Sequence, residues 1–404
     1  MLCSARRRQA PCSSSRSARF LLVRNSGSLE AAPSCSACCG ARVSETDARR
    51  ADAVAVKLAI IGATGSCGRQ VAAQLLERGT LPAEGSLHLI GHSGGAHETE
   101  LWGLRSDLLD AFSDRAPRIE VGTDVAVSGA DVVVMMAGAT VTPDVTDRAL
   151  LAETNHRIFR EAAADVARMP AEPTVIVQSN PVELALEIFA EVVSRNRILG
   201  AAAWSDSLRF RLEIAAELGI KRPMVDAEMW GQHGDHIVPM WSGVRARGVE
   251  QGRIDDVIGR ATQGRSVAQL PDEIRATRDH VVGLIKRGEV GDAYAFIQKQ
   301  QPDLRAAVKP LFTHFTAGRT TELATAHAVA DVVSFLAGGV RATIPAQVML
   351  DSEWPGLTGP LAVPVLIEPH GWRQVVTQNI SAREKDALDA AMRAIATSNA
   401  STSR

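Results

Sequence analysis

Tyrosine is nearly missing from this chain: 404 residues contain one, Tyr294, and aromatic residues together make up 4%. Because Tyr294 is followed four residues later by Gln298, an active site built on a Tyr-x-x-x-Lys pair is excluded. Cysteine is scarce where a fold would need it. Cys3, Cys12, Cys35, Cys38 and Cys39 lie in the first 40 residues, leaving Cys67 alone beyond them. A disulfide framework is thereby excluded, and the fold reads as one built for a reducing compartment. The cluster Cys35-Ser36-Ala37-Cys38-Cys39 lacks the second half of a four-ligand zinc constellation, so no metal is expected. No apolar run reaches the roughly 18–20 residues that span a bilayer, and no membrane partner is expected. A formal net charge of -2 gives no global field to attract nucleic acid.

What remains is an ordinary balance of 46% hydrophobic and 22% charged residues, enough chain for a large core and two domains. Residues 1–54 are compositionally foreign to the rest. They are rich in Ser, Arg, Ala and Cys, and Arg6, Arg7, Arg8, Arg16, Arg19 and Arg24 all precede the first acid, Glu30. Such a segment has two readings: an organelle transit peptide, or translated sequence upstream of a misassigned start. The first implies a mitochondrion or plastid and the second a bacterial cytoplasm. Either way residues 1–54 are expected to be a disordered tail, since they carry no apolar periodicity.

Patterned sequence begins at Val54–Ile61, a strand-length apolar run. The turn Gly62-Ala63-Thr64-Gly65-Ser66-Cys67-Gly68 follows, and then apolar residues at helical spacing from Gln70 to Arg78. Further strand-like runs at Ser86–Ile90, Asp131–Met136 and Thr174–Val177 alternate with helical stretches at Leu101–Phe112 and Arg148–Ala167. That alternation predicts an α/β fold: a doubly wound parallel sheet of Rossmann type over residues 55–200. Past Leu199 longer helical stretches dominate, at Asp206–Leu218, Asp272–Arg287, Thr320–Leu336 and Ala382–Ile395, with short strand-like pieces at Pro345–Leu350 and Leu361–Ile367. Residues 201–404 are expected to form an α+β catalytic domain, meeting the first domain near Ile198-Leu199-Gly200.

Strand, glycine turn and helix together are the context a dinucleotide fingerprint requires. Gly62, Gly65 and Gly68 permit a tight turn and close backbone approach to a pyrophosphate, with Ser66 at the helix start. Gly138, at the exit of the strand-like run Asp131–Met136, joins them on the cofactor side. Selectivity for NAD usually rests on an acid at the end of the second strand, which would repel a 2′-phosphate. Here that strand runs into Gly91-His92-Ser93-Gly94-Gly95, and no carboxylate appears before Glu98. His92 and Ser93 are both able to hydrogen-bond a 2′-phosphate, so NAD and NADP both remain open.

The richest stretch is Trp230-Gly231-Gln232-His233-Gly234-Asp235-His236, which holds a histidine in a glycine-flanked turn. Upstream, Asp206 opens the run Asp206-Ser207-Leu208-Arg209-Phe210-Arg211. A histidine, a carboxylate and an arginine are the groups that moving a hydride to or from an α-hydroxy or α-keto acid calls for. The imidazole shuttles the alcohol proton, the carboxylate sets its tautomer, and the guanidinium grips the substrate carboxylate through paired hydrogen bonds.

Both segments resemble the active-site signatures of the lactate/malate dehydrogenase family, and the resemblance extends over about residues 56–396. It implies a homodimer or homotetramer acting on a small 2-hydroxy or 2-keto acid with a nicotinamide cofactor. It assigns proton transfer to His233, with Asp206 as its partner, and substrate carboxylate binding to Arg209. It places Asn180, in Ser179-Asn180-Pro181-Val182, near both nicotinamide and substrate, and Thr320 in the substrate pocket. In the loop after the fourth strand, Arg148 falls at the position that polarises the substrate carbonyl. Where malate enzymes carry a second arginine, this chain has Val141 or Thr142. The stretch from Glu289 to Phe315 is longer than the family pattern, and Ala203-Trp204-Ser205 replaces the usual residues before Asp206. Two other functions stay open beside the dehydrogenase: an NAD(P)-binding protein that has lost catalysis, and an NAD-requiring glycoside hydrolase. The hydrolase pattern uses a Cys/His metal site, for which this fold offers only Cys67, in the glycine turn.

Overall fold

Most strands of the N-terminal half serve two cores at once. In β1 (Lys57–Ile61) the fully buried Leu58 and Ile60 face one apolar cluster while Ala59, between them, faces another. β4 (Val132–Met135) repeats the division, with Val132 and Val134 on one side and Val133 and Met135 on the other. A strand covered on both faces reads as a continuous apolar run, which is why these segments are legible in the sequence. Burial of each Leu, Ile or Val contributes about 1.5–3 kcal/mol.

The computed structural model describes residues 56–92, 96–139, 148–318, 320–354 and 356–402. Residues 1–54, Ser93 and the loop residues Val141 and Thr142 lie outside them, and so do the expectations attached to those positions. After β1 come α1 (Ser66–Glu77), β2 (Ser86–Ile90), α2 (Ala96–Phe112) and β3 (Arg118–Gly122). β4 is followed by α3 (Arg148–Ala167), β5 (Thr174–Val177), α4 (Val182–Phe189) and β6 (Ile198–Gly200). The six strands are parallel in the order β3-β2-β1-β4-β5-β6, a doubly wound arrangement whose order reverses between β1 and β4. β3 escaped the sequence pattern because only Ile119 is buried along it.

The second half opens with α5 (Ala202–Leu218), then β7 (Val225–Asp226), β8 (Met229–Gly231), β9 (Ile237–Pro239) and β10 (Arg245–Ala246). Helices α6 (Gln251–Thr262), α7 (Leu270–Lys286), α8 (Val290–Gln298), α9 (Pro302–Ala317) and α10 (Glu322–Ala337) follow. The chain ends in β11 (Ala342–Trp354), β12 (Leu357–Glu368), β13 (Gly371–Val375) and α11 (Ala382–Thr402). Ile198–Gly200, the expected meeting point, is itself a strand. It bonds β5 on one side and, through Gly200 opposite Gln347, β11 on the other, so the sheet continues across it. The stretch Glu289–Phe315 is helical, forming α8 and most of α9. α9 is fixed to α5 by buried charge: Arg305 donates to Glu213 at 2.7 Å and to Glu217 at 2.8 Å, and Lys309 also pairs with Glu213. Among the described residues no helix is long and apolar enough to cross a membrane, and no group of metal-ligating side chains converges.

Candidate active site

The glycine turn sits at the C-terminal edge of β1, where Gly62 N–H and Ala63 N–H both donate to Ile90 O of β2. Gly62 has φ +85°, and a Cβ there would stand 2.6 Å from Ala137 N. At Gly68 a Cβ would come within 2.3 Å of Gly62 O and 2.9 Å of Ala63 Cα. The first turn of α1 therefore lies directly on the strand exit, a fit only glycine allows. Gly65 is the N-cap and brings no side-chain cap, and Ser66 beside it is exposed. The helix thus presents backbone N–H groups at its positive end, the arrangement that receives a pyrophosphate. His92 is exposed just past β2.

Exits of β4 and β5 are tied together beneath this turn. Asn155, on α3 and 3% exposed, accepts from Ala139 N–H at 2.6 Å and donates to Ala139 O at 3.0 Å and Asn180 O at 2.7 Å. Gly138, next to Ala139, and Asn180 are both exposed at the sheet edge. Arg148 is the first residue of α3, two turns ahead of Asn155; its side chain lies outside the described ones.

His233 occupies the turn between β8 and β9, closed by Gln232 N–H donating to His236 O at 3.2 Å. Asp206 lies in the second turn of α5, inside the helix rather than at its opening, and is 7% exposed. Its Oδ2 stands 2.7 Å from His233 Nδ1, and its Oδ1 accepts from Arg209 at 2.7 Å. Three residues apart on one helix, Asp206 and Arg209 share a face, so one carboxylate serves both cations. Burial works against ionisation of Asp206, but His233 and Arg209 outweigh it and hold the carboxyl below its ordinary range. Burial likewise disfavours the imidazolium of His233. Asp206 overrides that, with Glu183 adding to it, and the ring's pKa is raised.

Two participants were not read from the sequence. Glu183, in the first turn of α4 and 3% exposed, accepts the backbone N–H of His233 at 2.7 Å. Burial pushes its pKa up, against the opposing pull of that N–H. Its only sequence signal was its place three residues after Asn180. The second is Thr321, whose Oγ1 accepts from Arg209 at 3.0 Å. Thr320, expected at the substrate pocket, places its Oγ1 3.0 Å from Cys67 Sγ in the glycine turn, beside the Thr321 that meets Arg209. His236 lies outside the pair, while Asp235 is held by Arg278 at 3.2 Å and Arg275 at 3.7 Å.

One centre thus gathers His233, Asp206, Arg209, Glu183 and Thr321, and Thr320, next to Thr321, contacts Cys67 of the glycine turn. Residues 56–200 match the family model described as lactate/malate dehydrogenase, NAD binding domain. The chain is 22% identical to the L-lactate dehydrogenase of Mycoplasmopsis pulmonis, over 82% of this chain and 93% of that protein. Against the malate dehydrogenase of Methanothermobacter thermautotrophicus the identity is 26%, over 82% of this chain and 93% of that one. Several other L-lactate dehydrogenases match over about half of their own length. In fold the chain is similar to a Cryptosporidium parvum lactate dehydrogenase solved with lactic acid and nicotinamide adenine dinucleotide. There the TM-score is 0.68 at 20% identity, covering 87% of this chain and 99% of that one.

Proposed function

The chain belongs to the lactate/malate dehydrogenase family, and from that membership and the geometry around His233 we propose that it is an oxidoreductase interconverting a 2-hydroxy acid and a 2-keto acid. The observation that carries the reading is the shared carboxylate of Asp206, 2.7 Å from both His233 and Arg209. That arrangement places a proton-transfer group and a carboxylate-binding group side by side with a fixed relation between them.

The turn at Gly62, Gly65 and Gly68 fits a dinucleotide, because Gly62 and Gly68 let strand exit and helix start pack too closely for any side chain, which leaves bare backbone N–H groups at the start of α1 for a pyrophosphate. A bound nicotinamide supplies or accepts the hydride. Arg209 uses one N–H on Asp206 and one on Thr321, and its remaining donors grip the substrate carboxylate. With Nδ1 held by Asp206, Nε2 is the atom of His233 that gives a proton to the carbonyl oxygen in reduction and takes it back in oxidation. The raised pKa keeps the ring charged for the reductive direction. Glu183 fixes the backbone of the same residue. Arg148, at the start of α3, polarises the carbonyl.

Two finer readings follow. With Val141 or Thr142 where a second arginine would meet a distal carboxylate, an unpaired desolvated charge would be costly, so oxaloacetate is the poorer substrate beside monocarboxylic keto acids. With His92 beyond β2 and no acid before Glu98, NADPH serves beside NADH. The test is a panel of 2-keto acids, oxaloacetate and pyruvate included, with NADH and with NADPH, followed by loss of reduced-nicotinamide absorbance. Turnover of at least one acid supports the reading; absence of turnover with every acid and both cofactors overturns it.

A further inference from the structure

Asn155 makes three hydrogen bonds from its side chain, all of them to backbone groups. Its amide pairs with both backbone groups of Ala139 as a neighbouring strand would, and a second donor reaches Asn180 O. Ala139 and Asn180 lie in the segments that leave β4 and β5, strands that end side by side. The helix that carries Asn155 begins at Arg148. One buried amide therefore holds three things at a fixed separation: the chain leaving β4, the Asn180 backbone and the helix that starts at Arg148.

We propose that Asn155 is a positioning residue for the reaction, locking Asn180 and the start of α3 into the relation that the substrate carbonyl requires. The inference rests on the reading of the chain as a 2-hydroxy acid dehydrogenase. No other side chain common in proteins replaces this one. The site needs an acceptor for Ala139 N–H and two donors for Ala139 O and Asn180 O, and a primary amide of this length provides all three. Alanine provides none. Aspartate keeps the shape but turns an ionised oxygen on two carbonyl oxygens, a repulsive contact that protonation partly relieves.

The experiment compares Asn155→Ala and Asn155→Asp with the full-length parent, reading kcat and KM for the best keto acid, cofactor affinity by quenching of nicotinamide fluorescence, and Tm. In Asn155→Ala, kcat is expected to fall about ten- to a hundredfold, as a small misplacement of reacting groups does, while cofactor affinity stays within about threefold. In Asn155→Asp, kcat relative to the parent should recover as pH falls, because the protonated acid restores one donor, at pH values where Tm does not rise in step. This second variant carries the test should the alanine protein not fold. Undiminished kcat in Asn155→Ala overturns the proposal, and so does a fall of kcat, cofactor affinity and Tm together with no acid recovery in Asn155→Asp. If the parent itself turns over no keto acid, the functional reading fails and this inference with it. Turnover by the parent with an undiminished variant removes the inference alone.

Discussion

Asp206→Asn separates the electrostatic role of the carboxylate from its shape. Asp206 gives one oxygen to His233 and the other to Arg209, each at 2.7 Å, with 10% of its side chain exposed. The introduced amide has a single acceptor oxygen. If that oxygen stays with Arg209, an amide N–H faces His233 Nδ1 and confines the ring proton to Nε2. The ring is then neutral and cannot give that proton away. If the oxygen stays with His233, amide donors face guanidinium donors. Either orientation loses one charge-assisted hydrogen bond, roughly 1.5–3 kcal/mol, which corresponds to about a 10- to 150-fold fall in kcat/KM for keto acid reduction.

The pH dependence follows from the same contacts. Reduction needs the imidazolium, so in the parent the rate falls as pH rises through the raised pKa of His233, while oxidation of the hydroxy acid rises over the same range. Without the Asp206 charge, burial dominates and both limbs move to lower pH. For stability the signs are separate. A raised His233 pKa contributes stability that is present below the unfolded value, about 6.5, and lost as pH rises through the folded value. The lowered Asp206 pKa contributes stability present above its unfolded value of about 3.9 and lost as pH falls through the folded value. The substitution should therefore cost most Tm between about pH 4 and 6.5. The assay is steady-state absorbance in both directions from about pH 5 to 9, with Tm in the same buffers. An efficiency within about threefold of the parent and an unmoved profile would refute the reasoning.

Arg209→Lys should raise KM for every keto acid by about tenfold or more with kcat less affected, since an ammonium cannot hold a carboxylate and Thr321 in one plane; an unchanged KM across the panel would remove Arg209 from the site. Gly68→Ala should weaken cofactor binding and cost about 1–3 kcal/mol of stability, because the new methyl would lie 2.3 Å from Gly62 O, and a denaturation midpoint equal to the parent's would contradict the tight turn. His92→Asp should shift preference towards NADH by repelling a 2′-phosphate, measured as the ratio of kcat/KM with the two cofactors; strict NADH dependence in the parent would remove the basis for it.

The sequence by itself determined the layers of this protein and the types of group at its centre. Val133, Ile176 and Leu58 stand in runs apolar on both faces, and a strand buried on two sides must look like that, whatever packs on it. The glycine turn was equally legible, because only glycine tolerates the φ of Gly62 and the approach of Gly68 to Gly62 O. His233, Asp206 and Arg209 showed through their residue types and local surroundings. Tertiary structure decided which distant groups meet them. Glu183 reaches His233 N–H across 50 positions of sequence and Thr321 reaches Arg209 across 112, and no local pattern records either contact. Helices α8 and α9 looked like added length until Arg305 and Lys309 were seen to bind Glu213 on the helix that carries Asp206. Periodicity states which face of an element is apolar; it does not state which other face it meets or at what register. Closure of those faces brought Thr321 to Arg209 and Asn155 between the exits of two strands.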